Sequence, residues 1–298
     1  MQTEDYLKAG KIASEVREMV RKKDWIGKTV YEICEEVEGE IKKRGAKCAF
    51  PVNTSINEIA AHYTAEPNDP ITIKDTDLVK IDLGAQVNGY IADTAVTVCY
   101  DAQYDGLVQT AEEALANAMS MIKSGVKASD IGRTIESTIK QKGFKPIANL
   151  SGHSLDQYTI YAGRSIPNIW SIGGFSLSEN SAYACEPFVT TKEGGGFVRN
   201  GQVKNIFAIN SRKKTKDEQA DKLLDFIWKN FNMLPFALRW ITKEWEEKEA
   251  RRLLEILVKK KAVQAYPVLI EVNEQRVAQA EHTFIPNDNG ATVTTSAE

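Results

Sequence analysis

No stretch of the 298-residue sequence is apolar for the about 18 residues that a membrane-crossing helix needs. The first twenty residues, MQTEDYLKAGKIASEVREMV, are charged throughout instead of carrying an apolar signal core. Together these absences predict a cytoplasmic protein with no membrane partner. Cysteine is scarce: Cys34, Cys48, Cys99 and Cys185 show no CxxC or zinc-like spacing, so reduced core thiols are expected in place of a disulfide framework or a thiolate metal site. Histidine is scarcer still, with three. An excess of one charge sign is also missing, since 38 Lys and Arg against 41 Asp and Glu leave −3, which argues against a general nucleic-acid binder and against specific DNA recognition. The glycines of KEGGGFV (192–198) are followed by no GK[ST], so they form no phosphate loop.

What is present is 42% apolar, enough for a sizeable core. Residues 27–45, GKTVYEICEEVEGEIKKRG, place Ile33, Val37 and Ile41 at helical spacing, with Thr29 and Glu32 as a capping box and Gly45 as a stop. Residues 125–143 repeat this pattern at an offset of 98, with Ile131, Ile135, Ile139 and Gly143. Such a period is too long for a solenoid and predicts two similar half-domains. A further amphipathic helix precedes each copy, at about 3–22 and 105–122, and strand-like runs follow near 78–99, 182–190, 196–210 and 266–285. Between the last two runs, residues 212–262 read as a small helical insertion rich in Trp and Lys. From Arg212 to Lys261 fourteen basic residues oppose nine acidic ones, a balance of +5 that leaves −8 for the rest of the chain.

The chemistry concentrates in polar residues set in apolar surroundings. In IDLGAQVNGYIADTAV (81–96), Asp82 and Asp93 flank Asn88-Gly89, the dipeptide of a two-residue hairpin turn. That turn makes the two acids diagonal neighbours on one face, with backbones roughly 7–8 Å apart. Like charges so close share a proton or neutralise a cation. His153 in NLSGHSL, Glu186 in SAYACEPFVTT and Glu281 in RVAQAEHTFIP are comparable interruptions, and of the adjacent pair Glu281 and His282 only one can face such a site. Four carboxylates and one imidazole balance two divalent cations, and this oxygen-rich set suits Mn, Fe(II), Co or Zn. Two metals about 3.5–4 Å apart need bridging carboxylates, which the hairpin pair is placed to provide.

The order D-x10-D, GH, EPF, EHT, preceded by CAFPVNTSINEIAAHYT, resembles methionine aminopeptidase of type II, the archaeal and eukaryotic form, nearly end to end. The resemblance implies an α+β pita-bread fold, two pseudo-symmetric α/β halves around a curved antiparallel sheet. Residues 1–211 and 263–298 would form the catalytic domain, and 212–262 the helical, winged-helix-like type II insertion. It implies that Asp82 chelates one metal, that Asp93 and Glu281 bridge both, and that His153 and Glu186 complete the other. His62 would lie near the substrate amide, and Phe50 and Tyr266 would line a methionine pocket. The implied activity is removal of the N-terminal methionine from nascent polypeptides with a small second residue, with Glu186 moving protons, and the basic insertion suggests ribosome docking. One position departs from the family pattern: HSLDQYTIYAG puts Tyr161 where a second histidine usually contacts the scissile peptide. An Xaa-Pro dipeptidase or aminopeptidase P of the same fold is the alternative enzyme. A catalytically silent ribosome- or RNA-binding relative is the alternative outside catalysis.

Overall fold

The computed structural model describes residues 3–297. Residues 1, 2 and 298, the outer ends of the expected catalytic domain, lie outside the described residues. The first half runs α1 (Thr3–Lys22), α2 (Val30–Lys43), β1 (Lys47–Cys48), β2 (Asn53–Ile56), β3 (Ile59–Ala61), β4 (Leu78–Val87) and β5 (Tyr90–Cys99). The second runs α3 (Asp105–Met121), α4 (Ala128–Gln141), β6 (Lys145–Pro146), β7 (Ser151–Leu155), β8 (Ser165–Pro167), β9 (Ala182–Cys185) and β10 (Phe188–Thr190). The remainder comprises β11 (Val198–Asn200), β12 (Ile206–Ile209), α5 (Glu218–Phe231), β13 (Phe236–Ala237), α6 (Leu238–Ile241), α7 (Glu247–Lys259), β14 (Val263–Tyr266), β15 (Leu269–Glu271), β16 (Val277–Gln279), β17 (His282–Asn287) and β18 (Gly290–Val293).

Local chemistry sets the first half. Thr29 and Glu32 form the capping box that opens α2, each satisfying an amide the helix leaves unpaired. Asn88 and Gly89 take φ of +53° and +87°, the pair of positive values a type I′ turn requires, and the β4–β5 register follows from it. Asp82 faces Ala95 and Gly84 faces Asp93 across the ladder. The 98-residue echo is structural as well as sequential. Gly45 and Gly143 close the paired helices with φ of +88° and +83°, and Gly27 and Gly125 precede them with +79° and +84°. In each half the residue before the helix is tied by a bridge to a returning segment, Thr29 to Thr72 and Lys127 to Ser176.

The symmetry carries into the site. Ser55 on β2 pairs with Lys80, and His153, 98 residues later, pairs with Ala184. Asp82 and Glu186 each lie two residues past those partners, so they occupy equivalent positions in the two halves. Every strand pairing between named strands among the described residues is antiparallel.

Each half has its own apolar core: α1 and α2 over β4 and β5, and α3 and α4 over β9, β10 and β16. Residues 212–262 build a third, with Leu223, Leu224 and Ile227 of α5 against Leu253, Leu254 and Leu257 of α7. The stretch is not purely helical. Phe236 and Ala237 add a strand to the sheet β13-β12-β14. This segment is clamped to the first half by Arg239, 2% exposed, whose guanidinium donates to both Glu38 carboxylate oxygens, to Glu35 (3.0 Å) and to Thr64 (3.2 Å). Glu38 also accepts from Trp240 Nε1 (2.7 Å) and from the Val52 amide (3.1 Å). Among the described residues no helix is long and apolar enough to cross a membrane.

Candidate metal centre

A cavity of about 250 Å³ opens where the two halves meet, and all nine residues singled out from the sequence line it: Asp82, Asp93, His153, Glu186, Glu281, His62, Tyr161, Phe50 and Tyr266. The hairpin brings in Asp82 on β4 and Asp93 on β5. His153 comes from β7, Glu186 from the residue after β9, and Glu281 from the residue before β17, bridged to Ala95. His153 Nε2 lies 3.7 Å from Asp93 Oδ2 and 3.6 Å from Glu186 Oε1. One donor atom each of Asp93, His153 and Glu281 falls within a mutual 4.8 Å, a spacing at which one cation can be shared. Gly152 makes this approach possible, since a Cβ there would sit 2.2 Å from the Ala184 carbonyl oxygen.

Asp93, Glu281 and His153 are 3%, 1% and 7% exposed. Burial pushes the Asp82 carboxyl up to about 7, and burial, reinforced by the neighbouring acids, raises Asp93, Glu186 and Glu281 well above the carboxylate range. Burial lowers His153 to about 4, so its imidazole is neutral and free to coordinate. Asp82 Oδ1, Asp93 Oδ1 and Glu281 Oε1 are buried without a hydrogen-bond partner. Orphaned oxygens of this kind are costly in a protein interior and fit a divalent cation.

Protons therefore compete with cations for the four acids, while His153 already offers a lone pair. Without a cation, the stability these acids contribute is full below about pH 4, where they are protonated in folded and unfolded chains alike. It is lost as pH rises through their raised folded values, about 7 for Asp82. A bound cation removes that loss. Divalent-metal affinity is accordingly expected to rise from pH 6 to pH 8, by about tenfold per unit for each proton displaced, with protons released on binding. Calorimetry in buffers of different ionisation enthalpy measures both, and a pH-independent affinity would contradict the assignment.

Sequence reasoning overlooked the residues that hold these side chains in place. Gln279, 1% exposed, donates its side-chain amide to Glu186 (3.4 Å) and Glu281 (3.3 Å). Arg17 of α1 donates to Thr94 Oγ1 (2.8 Å) and to the Thr295 carbonyl (2.9 Å), and lies 3.1 Å from His282 Nδ1. Thr94 in turn donates to the Glu281 carbonyl, and Thr283 to the Asp93 carbonyl. A guanidinium behind the cavity thus fastens the Glu281 backbone through Thr94, while Thr283 holds that of Asp93. His282 points away from the cavity into that network, as strand alternation requires, and burial and Arg17 lower it to about 3. Gln279 two residues before Glu281, on the same strand face, was the one legible signal among these.

At the mouth, His62 holds a left-handed φ of +64°, a conformation that costs about 1–2 kcal/mol and is retained where the surroundings enforce it. Its ring meets Tyr266 edge-on, and its Nε2 lies 3.5 Å from the Tyr161 hydroxyl. Burial lowers His62 to about 4. Tyr161 stacks edge-on against His153 with ring centroids 4.6 Å apart and is 46% exposed. Phe50 fits against Gly84, where a Cβ would lie 2.3 Å from its ring.

Two α/β halves with an acid-rich, imidazole-bearing cavity at their seam define a metal-dependent hydrolase scaffold, and the comparisons agree. The sequence matches metallopeptidase family M24 over residues 4–206, and the chain belongs to that family, which implies use of a divalent metal. Within it the chain groups with archaeal methionine aminopeptidases, metallo-exopeptidases: it is 42% identical over 292 residues to the methionine aminopeptidase of Methanocaldococcus jannaschii, covering 98% of each chain. Archaeal relatives are consistent with type II. Among solved structures, a thermophilic Arx1 superposes with a TM-score of 0.81 at 19% identity, covering 98% of this chain and 89% of that one. The methionine aminopeptidase of Thermotoga maritima superposes at 0.70 and 24% identity, covering 99% and 96%. At those identities the likeness concerns the pita-bread fold alone.

Proposed function

We propose that this chain removes the N-terminal methionine from nascent polypeptides and peptides with a small second residue, using two divalent ions. Asp82, Asp93, His153, Glu186 and Glu281 would hold them, Asp93 and Glu281 as the two acids shared between the ions. The observation that carries this reading is the group of three orphaned carboxylate oxygens, on Asp82, Asp93 and Glu281, facing one cavity. The ions, when bound, supply Lewis acidity and a water nucleophile whose pKa falls towards about 7. Glu186, at the cavity wall 3.6 Å from His153, shuttles the proton from nucleophile to leaving amine. His62 and Tyr161 orient the scissile amide and donate to its oxygen as negative charge develops. Phe50 and Tyr266 form the wall that accepts an unbranched, polarizable side chain. Residues 1–211 and 263–298 act as the catalytic domain, and 212–262 as the type II insertion, whose basic surface suits docking on the ribosome. A Met-Ala-Ser peptide should release methionine, lose this on exhaustive chelation and regain it with added metal, whereas an Ala-Pro substrate should stay intact. Preferred cleavage of Ala-Pro, or full activity after chelation, would overturn the proposal.

Tyr161 sets the rate in this reading. A neutral phenol is a weaker and differently placed donor than imidazole, and one such donor is worth about 2.7–4 kcal/mol. Tyr161→His should raise kcat on Met-Ala-Ser about 5- to 50-fold with metal affinity unchanged, and Tyr161→Phe should lower it. If both variants kept kcat within about twofold of the parent, the position would play no part in the transition state.

A further inference from the structure

A second cavity, about 280 Å³, lies between the 212–262 segment and the first half, outside the catalytic centre. Its lining combines three aromatic rings, Phe226, Phe231 and Trp240, with three exposed lysines, Lys42, Lys47 and Lys243. Phe231 and Trp240 lie 5.4 Å apart at 37°, and Phe226 meets Phe231 edge-on at 6.2 Å. The Lys42 ammonium stands 5.9 Å from the Trp240 ring. Lys243 is engaged by Glu35 (2.9 Å), but Lys42 and Lys47 make no ion pair among the described residues. Glu244 is the one acid in the lining.

We propose that this cavity is a second ligand site, taking a small planar aromatic anion of the nucleoside monophosphate class. The aromatic walls offer a face for a flat ring, and stacking on such a face is worth about 1–3 kcal/mol. Unpaired ammonium groups at the rim offer charge to an acid group whose ring is inside. The volume suits one small molecule and is too small for a folded partner or an extended peptide. An occupant would also touch the catalytic wall. Pro235 lines both cavities, and Cys48 lines this one while Phe50, two residues on, lines the other.

Isothermal calorimetry on the metal-loaded, full-length protein tests this with adenosine 5′-monophosphate, adenosine and inorganic phosphate at low salt. The monophosphate should bind saturably and one-to-one, and adenosine and phosphate should each bind at least about tenfold more weakly, because each lacks one of the two recognised groups. The double variant Lys42→Glu with Lys47→Glu, changed at two exposed positions outside the catalytic cavity, should weaken the monophosphate by at least about tenfold while leaving methionine release intact. Absence of saturable binding would overturn the site. So would equal binding by the double variant, which would put the ligand elsewhere, on the catalytic ions included. Binding of a Glu-rich peptide in preference to the monophosphate would overturn the ligand class.

Discussion

Asp93→Ala is expected to cut methionine release by on the order of 10³-fold, roughly 4 kcal/mol of transition-state stabilisation, and, on the proposed two-ion reading, to lower metal stoichiometry from two ions to at most one. Asp93 is the acid on which the others converge: its Oδ2 faces His153, its Oδ1 has no partner, and Asp82 and Glu186 both add to its raised pKa. In the bridging role proposed for it, Asp93 would be lost to both ions at once. Asp82→Asn should be milder, because in the proposed arrangement it would remove charge from one ion only. The same argument sets the stability expectation with the opposite sign. In metal-free protein at pH 8 the four acids repel or hold protons against the solvent, so removing Asp93 should leave the metal-free melting temperature unchanged or higher. That distinguishes a lost ligand from a misfolded chain. Unchanged stoichiometry in Asp93→Ala would refute the bridging role.

Arg239→Ala should destabilise the protein by about 3–5 kcal/mol, which for a chain of this size is a melting temperature roughly 5–15 °C lower. The loss exceeds that of an ordinary ion pair because Glu38, 1% exposed, would be left buried without the guanidinium that donates to both its oxygens. Glu38 is also the acceptor for Trp240 and Val52, so the 212–262 segment and the strand start beside Phe50 would loosen together. An elevated KM should accompany the lower melting temperature. Replacing both partners by apolar residues, Arg239→Met with Glu38→Leu, should recover part of the stability, since no buried charge is then stranded. Thermal denaturation of the single and double variants measures the coupling. If the single variant melted within about 2 °C of the parent, well under 1.5 kcal/mol, the clamp would not secure the segment.

How legible these features were in the sequence depended on how local their causes are. The β4–β5 register was readable because strand side chains alternate with period two and Asn88-Gly89 fixes the turn, so Asp82 and Asp93 could be placed on one face. The paired helices were readable because a capping box and a glycine stop bound an apolar stripe. The two-residue strands Lys47–Cys48 and Lys145–Pro146 were not, being too short to alternate. Nor was the break at Phe236–Ala237, where partners on β12 override helical spacing. Arg17 escaped notice because it sits in a helix that reads as ordinary surface, and the partners that tie it to the site lie 77 to 278 residues away. The left-handed backbone of His62 has no signature in a sequence without glycine or asparagine at that position.

The seam between the halves also has a topological meaning. Asp82 and Asp93 belong to the first half, His153 and Glu186 to the second, and Glu281 to the bridge that precedes β17 near the end of the chain. Ions shared among them would act as a non-covalent staple, tying segments nearly 200 residues apart and restricting the chain much as a long-range disulfide would. Because the unfolded chain offers no such site, the staple's contribution would grow with free metal concentration. In a protein whose four cysteines are all unpaired, this would be a cross-link that forms without oxidation and is undone by a chelator.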